Sequence, residues 1–138
     1  MAPEKLTRRA FCAALGAGAL ALQSNLMAQS ATRDLLLYVG TYTTGKSEGV
    51  YVYRMNPMTG ALKRVGATGG VKNPSFLALA PDRKHLYAVS EVGEFGGKKA
   101  GAIAAYAINQ KTGELTLMNQ ESSVGDGPCY VTVTRDGR

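Results

Sequence analysis

The alternation of apolar and polar stretches is clearest between residues 73 and 91 of this chain. Two short apolar runs, residues 75–80 and residues 85–90, are separated by the polar sequence PDRK. Short aromatic and aliphatic runs on either side of a Pro-Asp turn predict a β-hairpin. Neither run alternates with polar residues, so we expect both faces of these strands to be covered by other protein.

The same pattern recurs later in the chain. Three segments return after about 50 residues: NPSFLAL at 73–79 as GPCYVTV at 127–133, YRMN at 53–56 as YAIN at 106–109, and LYVGT at 37–41 as LYAVS at 86–90. Insertions between these segments explain why the three spacings differ slightly. The chain is therefore built from repeats.

Each repeat contains four predicted strands, which are SFLALA, HLYAVSE, GAIAAYAIN and LTLMNQE in the repeat that begins at Ser75. Four short strands in about 50 residues are typical of one blade of a β-propeller. Helical repeats do not fit, because no window has apolar residues at helical spacing without an intervening Gly or Pro. We predict an all-β fold, a β-propeller of which about two four-stranded blades are present.

The first thirty residues have a different composition and predict an export signal peptide at residues 1–30. A basic head is followed by an uncharged apolar run that is too short for a membrane anchor. Arg8, Arg9 and Phe11 lie in the sequence TRRAF, which resembles the twin-arginine export motif. The alternative is a general secretion signal with two adjacent arginines. We expect a periplasmic or extracellular protein, without a membrane anchor after cleavage, whose precursor binds the twin-arginine export machinery.

Composition fits an exported soluble domain, with 45% hydrophobic and 19% charged residues. The formal charge of +6 includes +2 from the signal, and the remaining +4 comes from residues scattered singly or in pairs, whereas a nucleic-acid interface would cluster them on one face. We predict no nucleic-acid partner. Cys12 lies in the signal and Cys129 has no partner, so no disulfide and no zinc spacing is present. No residue pattern calls for a cofactor.

The mature chain, residues 31–138, has room for about two repeats, and two blades do not close a ring. Open blades would expose apolar faces and strand edges to water. The sequence also stops where the earlier repeat continues into its second strand. We expect these residues to be the first blades of a longer propeller, truncated at the C-terminus.

In a propeller, the loops that enter the first strand and those that leave the second strand of each blade share one rim of the central channel. We call this side the channel rim, and the sequence places it at residues 43–48, 66–73, 93–100 and 122–127. The tight turns at 56–60, 81–84 and 110–113 fall on the opposite side.

The residues expected to meet at the channel rim are Tyr42, Asn73, Ser75, Glu91, Cys129 and Tyr130. Glu91 is the acidic group that a strand places there, and it could act as a general base or bind a ligand hydroxyl. Alternatively, it accepts hydrogen bonds from a neighbouring loop and has a structural role. His85 follows the turn at 81–84, so it is expected on the opposite side.

The order of several short motifs resembles the N-terminal blades of the propeller-type 6-phosphogluconolactonase family. These motifs are YVGTYT at 38–43, GVYVY at 49–53, TGAL at 59–62, NPSFL at 73–77 and LYAVSE at 86–91. The resemblance covers essentially residues 35–138 and implies a seven-bladed propeller that hydrolyses a lactone.

In such a reaction a base activates water to attack the ring carbonyl, and cationic or N–H groups stabilise the oxyanion. The resemblance implies that most of the proposed catalytic residues come from later blades, so the catalytic residues of this chain stay unassigned. Glu91 matches the family pattern, although Ser90 stands where Asn is usual. Tyr130 stands where the family often has His.

Two functions follow as alternatives. The first is hydrolysis of a small-molecule lactone or related cyclic ester, with a sugar-derived substrate. A phosphorylated sugar lactone is a cytoplasmic metabolite, so an exported enzyme would meet a different lactone. The second is an exported propeller without catalytic activity that binds a carbohydrate or a protein through the channel rim.

Overall fold

The computed structural model describes residues 33–137, which form seven β-strands and no helix. The export-signal prediction, with Arg8, Arg9 and Phe11, lies outside the described residues. The strands are β1 (Leu35–Val39), β2 (Val50–Met55), β3 (Leu62–Thr68), β4 (Leu77–Leu79), β5 (His85–Ser90), β6 (Ala102–Ile108) and β7 (Leu115–Ser122). The all-β prediction is confirmed.

The strands form two antiparallel meanders. β1, β2 and β3 make a three-stranded sheet in that order, and β4 to β7 make a four-stranded sheet in chain order. The second sheet contains the four strands predicted for one blade. The first sheet contains the equivalents of β5, β6 and β7, in agreement with the repeats read from the sequence.

The repeat extends to local irregularities of the sheets. In the first sheet the register shifts between Val52 and Tyr53, and in the second it shifts between Ala105 and Tyr106. The extra residues on the neighbouring strands are Val65 and Met118. A β-bulge of this kind increases strand twist, so the two sheets are bent at equivalent positions.

The tight turns also repeat. The Asn56 side chain accepts hydrogen bonds from the N–H groups of Met58 and Thr59, at 2.9 and 3.2 Å. Asn109 does the same for the two residues at 111 and 112, at 2.9 and 3.3 Å. Each turn ends at a glycine with positive φ, Gly60 or Gly113, because an L side chain rarely adopts that conformation.

The core lies between the two sheets and follows from alternation along the strands. Val50 and Val52 of β2 are buried, as are Ala104 and Tyr106 of β6. Burial raises the pKa of Tyr106 to about 12, so its side chain stays neutral in this apolar layer. The core cluster also includes Val71, Leu86, Ala88 and Leu115.

Polar contacts join the sheets at the side of the tight turns. The Tyr38 hydroxyl donates to the Gly113 carbonyl at 2.9 Å, and the Arg54 guanidinium donates to the Lys111 carbonyl at 3.1 Å. The first sheet is thereby fixed to the turn between β6 and β7.

Three details differ from the sequence predictions. β4 is shorter than the apolar run at 75–80, and Ser75 donates its N–H back to Asn73 and not to a neighbouring strand. Both faces of β5 are covered by other parts of the protein, as predicted, but those of β4 are not, because Leu79 is 49% exposed. Residues 66–68 belong to β3 and not to a rim loop.

The predicted return of the inner strand at 129–133 is also not formed. Residues 128–134 lie outside the strands of the described part of the chain. A strand is stabilised by ladder hydrogen bonds to a neighbour, and no described segment pairs with this stretch. The hairpin of β4 and β5, by contrast, is confirmed.

Candidate functional site

The loops of the channel rim are connected through Asn73. Its side-chain oxygen accepts a hydrogen bond from the Thr43 N–H at 3.0 Å, and its carbonyl accepts one from the Glu91 N–H at 3.1 Å. Its side-chain nitrogen donates to the Glu91 carbonyl at 3.2 Å. Asn73 has a φ of 46°, which Asn tolerates better than most residues. This residue therefore positions the segments after β1 and β5.

Glu91 lies immediately after β5 and is the centre of a small polar cluster. The Tyr42 hydroxyl donates to Glu91 Oε2 at 2.8 Å, and the Ser75 hydroxyl donates to the same oxygen at 2.5 Å. Among residues 33–137, no group donates to the other carboxylate oxygen, Oε1. We call Tyr42, Ser75 and Glu91 the rim cluster.

The three residues come from three separate segments. Tyr42 follows β1, Ser75 precedes β4 and Glu91 follows β5. The backbone aligns these segments, because the Thr41 N–H donates to the Pro74 carbonyl at 3.0 Å. Gly40 permits this approach, since a Cβ at that position would lie 2.3 Å from the same carbonyl oxygen.

The two hydroxyl donors stabilise the charged form of Glu91. The hydrogen bond from Ser75, and then the one from Tyr42, hold the pKa of the Glu91 carboxyl below its ordinary value. The hydrogen bond to Glu91 is the main reason that the pKa of Tyr42 is raised. Glu91 is thus an anion and Tyr42 a neutral donor at neutral pH.

Tyr130 lies beside the rim cluster without bonding to it. Its ring packs against Phe76 at a centroid distance of 4.7 Å, and Tyr130 is 65% exposed. The neighbouring Cys129 is an exposed free thiol close enough to Tyr42 to influence its pKa. Phe76 is not among the rim residues predicted from the sequence, because it lies within an apolar run of strand length.

His85 lies on the opposite side of the sheet, next to the turn at 81–84. Its Nδ1 is 2.8 Å from Asp82 Oδ2, and the same carboxylate accepts the Lys84 N–H through Oδ1. This pair stabilises the turn. In the described part of the chain, no cluster of three His, Cys, Asp or Glu residues could hold a metal ion.

Comparison with known proteins decides the family. The family described as "Lactonase, 7-bladed beta-propeller" matches residues 36–138. The chain belongs to this family. The β-propeller prediction is thereby confirmed, and the two sheets are consecutive blades, the first represented by three strands.

Named relatives of this lactonase-family chain include 6-phosphogluconolactonases from Bacillus subtilis and Formosa agariphila. The first is 35% identical over 96 residues, covering 70% of this chain and 26% of the relative. The second is 30% identical over 103 residues, covering 74% of this chain and 28% of the relative. The chain therefore spans little more than a quarter of the length of these proteins.

A solved structure has a similar fold. The periplasmic gluconolactonase from Pseudomonas aeruginosa is 37% identical and superposes with a TM-score of 0.66, covering 75% of this chain and 29% of that one.

Proposed function

We propose that this chain forms the first blades of a seven-bladed ring that hydrolyses a sugar lactone at the channel rim. We call the whole ring the complete propeller. The observation that carries the proposal is an ionised carboxylate held at the rim of a lactonase-family chain. The relatives named as 6-phosphogluconolactonases and as a periplasmic gluconolactonase support the same chemistry.

In the proposed reaction, water attacks the ring carbonyl, the ring C–O bond breaks and a hydroxy acid is released. The reaction needs a base for the water and donors for the oxyanion. The family resemblance assigns most of those groups to later blades. The rim cluster would contribute a fixed anion, Glu91, which is held by two hydroxyl groups.

The proposal includes export. Residues 1–30 would direct the folded protein through the twin-arginine route, and residues 31–138 would begin the mature propeller. The described residues contain no helix long and apolar enough to cross a membrane. The periplasmic gluconolactonase from Pseudomonas aeruginosa supports a site outside the cytoplasm. An unphosphorylated sugar lactone is therefore the proposed substrate.

The test is lactone hydrolysis by the complete propeller, followed as proton release at constant pH above the spontaneous rate. We expect turnover of glucono-δ-lactone to exceed that of its 6-phosphate. Faster turnover of the phosphorylated lactone would contradict the proposed substrate but would still show that the protein is a lactonase. No turnover of either would favour a propeller that binds a carbohydrate or a protein through the same rim.

A further inference from the structure

We propose that Glu91 binds a hydroxyl group of the substrate, so that the channel rim selects polyhydroxylated lactones, and that Tyr42 and Ser75 are positioning residues for its carboxylate. This inference rests on the proposed function and assigns the residue that recognises the hydroxyl groups of its sugar-lactone substrate. It makes Glu91 a specificity-determining residue and places the base elsewhere in the complete propeller.

The hydrogen-bond geometry leaves one carboxylate oxygen available. A carboxylate can accept about four hydrogen bonds, two on each oxygen. Both protein donors use Oε2, at 2.8 and 2.5 Å, and no group among residues 33–137 donates to Oε1. Glu91 is also only partly buried. An anionic oxygen that is fixed in place and accessible is suited to accept from a ligand hydroxyl.

The same contacts disfavour Glu91 as the base. A general base is most effective when its pKa lies near the working pH. Hydrogen bonds from Ser75 and Tyr42 hold the pKa of Glu91 low, and none of the salt bridges among the described residues involves Glu91. Among the described residues, the titratable groups of the rim cluster are Glu91 and Tyr42, and Cys129 lies close enough to act on Tyr42.

Ser75 is not placed to be a nucleophile. Its hydroxyl donates to Glu91, and a carboxylate of low pKa is a weak acceptor for the serine proton. The described part of the chain has a single histidine, His85, which is paired with Asp82 at the other side. The Ser75 hydroxyl instead fixes the orientation of the Glu91 side chain.

Aromatic rings beside the cluster fit a sugar-derived ligand. Tyr42 is 54% exposed, and the Phe76 and Tyr130 rings pack together next to Ser75 and Cys129 along the chain. Small-molecule sites usually combine apolar or aromatic walls with a few placed polar groups. A ring carrying several hydroxyls offers both an apolar face and donors for Glu91.

The experiment compares glucono-δ-lactone with δ-valerolactone, which has the same ring ester without hydroxyls, in the complete propeller with Glu91→Gln. Loss of a hydrogen bond to a charged group typically weakens binding by about tenfold or more. We expect KM for gluconolactone to rise about tenfold or more with kcat nearly unchanged. Turnover of valerolactone should change less than about threefold.

Two further variants keep the result interpretable. Tyr42→Phe retains the carboxylate and removes one positioning donor, so KM for gluconolactone alone should rise by a smaller factor. Glu121→Gln removes the same charge on the outer strand β7, where Glu121 makes no salt bridge with a described residue. This variant should leave KM and kcat for both lactones unchanged. Melting temperatures of all variants report folding.

The outcomes separate the two proposals. If Glu91→Gln lowers kcat equally for both lactones and removes the decrease of activity at acid pH, Glu91 is the base. That result would overturn the inference but not the lactonase proposal. No turnover of either lactone by the wild type would overturn the lactonase proposal. Glucitol binding by calorimetry then decides the inference: weaker binding to Glu91→Gln supports it, and unchanged binding overturns it.

Discussion

Substitution of Gly40 by alanine should both destabilise the protein and disturb the rim cluster. A Cβ at Gly40 would lie 2.3 Å from the Pro74 carbonyl oxygen and 3.0 Å from the Ser75 carbonyl oxygen. Both neighbours are backbone atoms, so no side chain can rotate away. The segment after β1 and the segment before β4 must separate by about 1 Å to reach ordinary contact distance.

That displacement has a cost that can be estimated. The Thr41 N–H to Pro74 carbonyl hydrogen bond, now 3.0 Å, would lengthen beyond bonding distance. Overpacking typically costs about 1–3 kcal/mol, and a lost hydrogen bond about 0.5–1.5 kcal/mol. Loss of the glycine's freedom in the unfolded chain offsets about 0.4–1 kcal/mol. Together these terms give a net loss of about 0.5–4 kcal/mol in the free energy of unfolding, with a central value near 2 kcal/mol.

The assay is urea unfolding of the complete propeller, followed by far-UV circular dichroism, which reports the β-sheets. Gly45→Ala is the matched control, since Gly45 is an exposed residue of the same loop with no atom within 4 Å of an added Cβ. It should change the free energy of unfolding by less than about 0.5 kcal/mol. A Gly40→Ala protein as stable as this control would refute the reasoning.

Three other predictions concern export, the folding of residues 31–138 alone, and the pKa of Glu91. Changing Arg8 and Arg9 together to Lys should leave the precursor in the cytoplasm by fractionation, whereas normal export would indicate a general secretion signal. Residues 31–138 alone should show no native-like hydrogen-exchange protection as a monomer, because apolar side chains such as Leu79 are half-exposed; protection in a monomer would contradict this. Ser75→Ala should raise the pKa of Glu91 toward its ordinary 4.5, measured by carbon NMR, and an unmoved pKa would contradict the assigned donor. The pKa of Glu91 is lower in the folded protein than in the unfolded chain. The stability that these hydrogen bonds add is therefore present above the unfolded pKa and is lost as the pH falls through the folded pKa. Because Ser75→Ala removes part of that stability, its acid unfolding should begin at a higher pH than that of the wild type.

Much of the fold could be predicted because each blade is a local structure. Apolar runs of strand length, separated by Pro-Asp and Asn-x-x-x-Gly turns, determine the meander without long-range information. Recurrence of those runs after about 50 residues identified the blade. The turns at Asn56 and Asn109 confirm this, because each side chain bonds to its own backbone.

The site was predictable only as a set of residues. Tyr42, Ser75 and Glu91 could be assigned to one rim, since blade geometry places strand ends together. Both hydroxyls reach one carboxylate oxygen because the segment after β1 approaches the segment before β4 closely. Gly40 permits that approach. Sequence spacing does not encode that approach.

The sequence by itself determined strand order, turn chemistry and family, because these depend on neighbours along the chain. Tertiary structure decided which polar side chains touch, that β4 is only three residues long and that 129–133 form no strand. The physical reason is that ladder hydrogen bonds and side-chain contacts need a partner segment at a set distance. Val50, Val52 and Tyr106 pack in one core cluster, which holds the two sheets together.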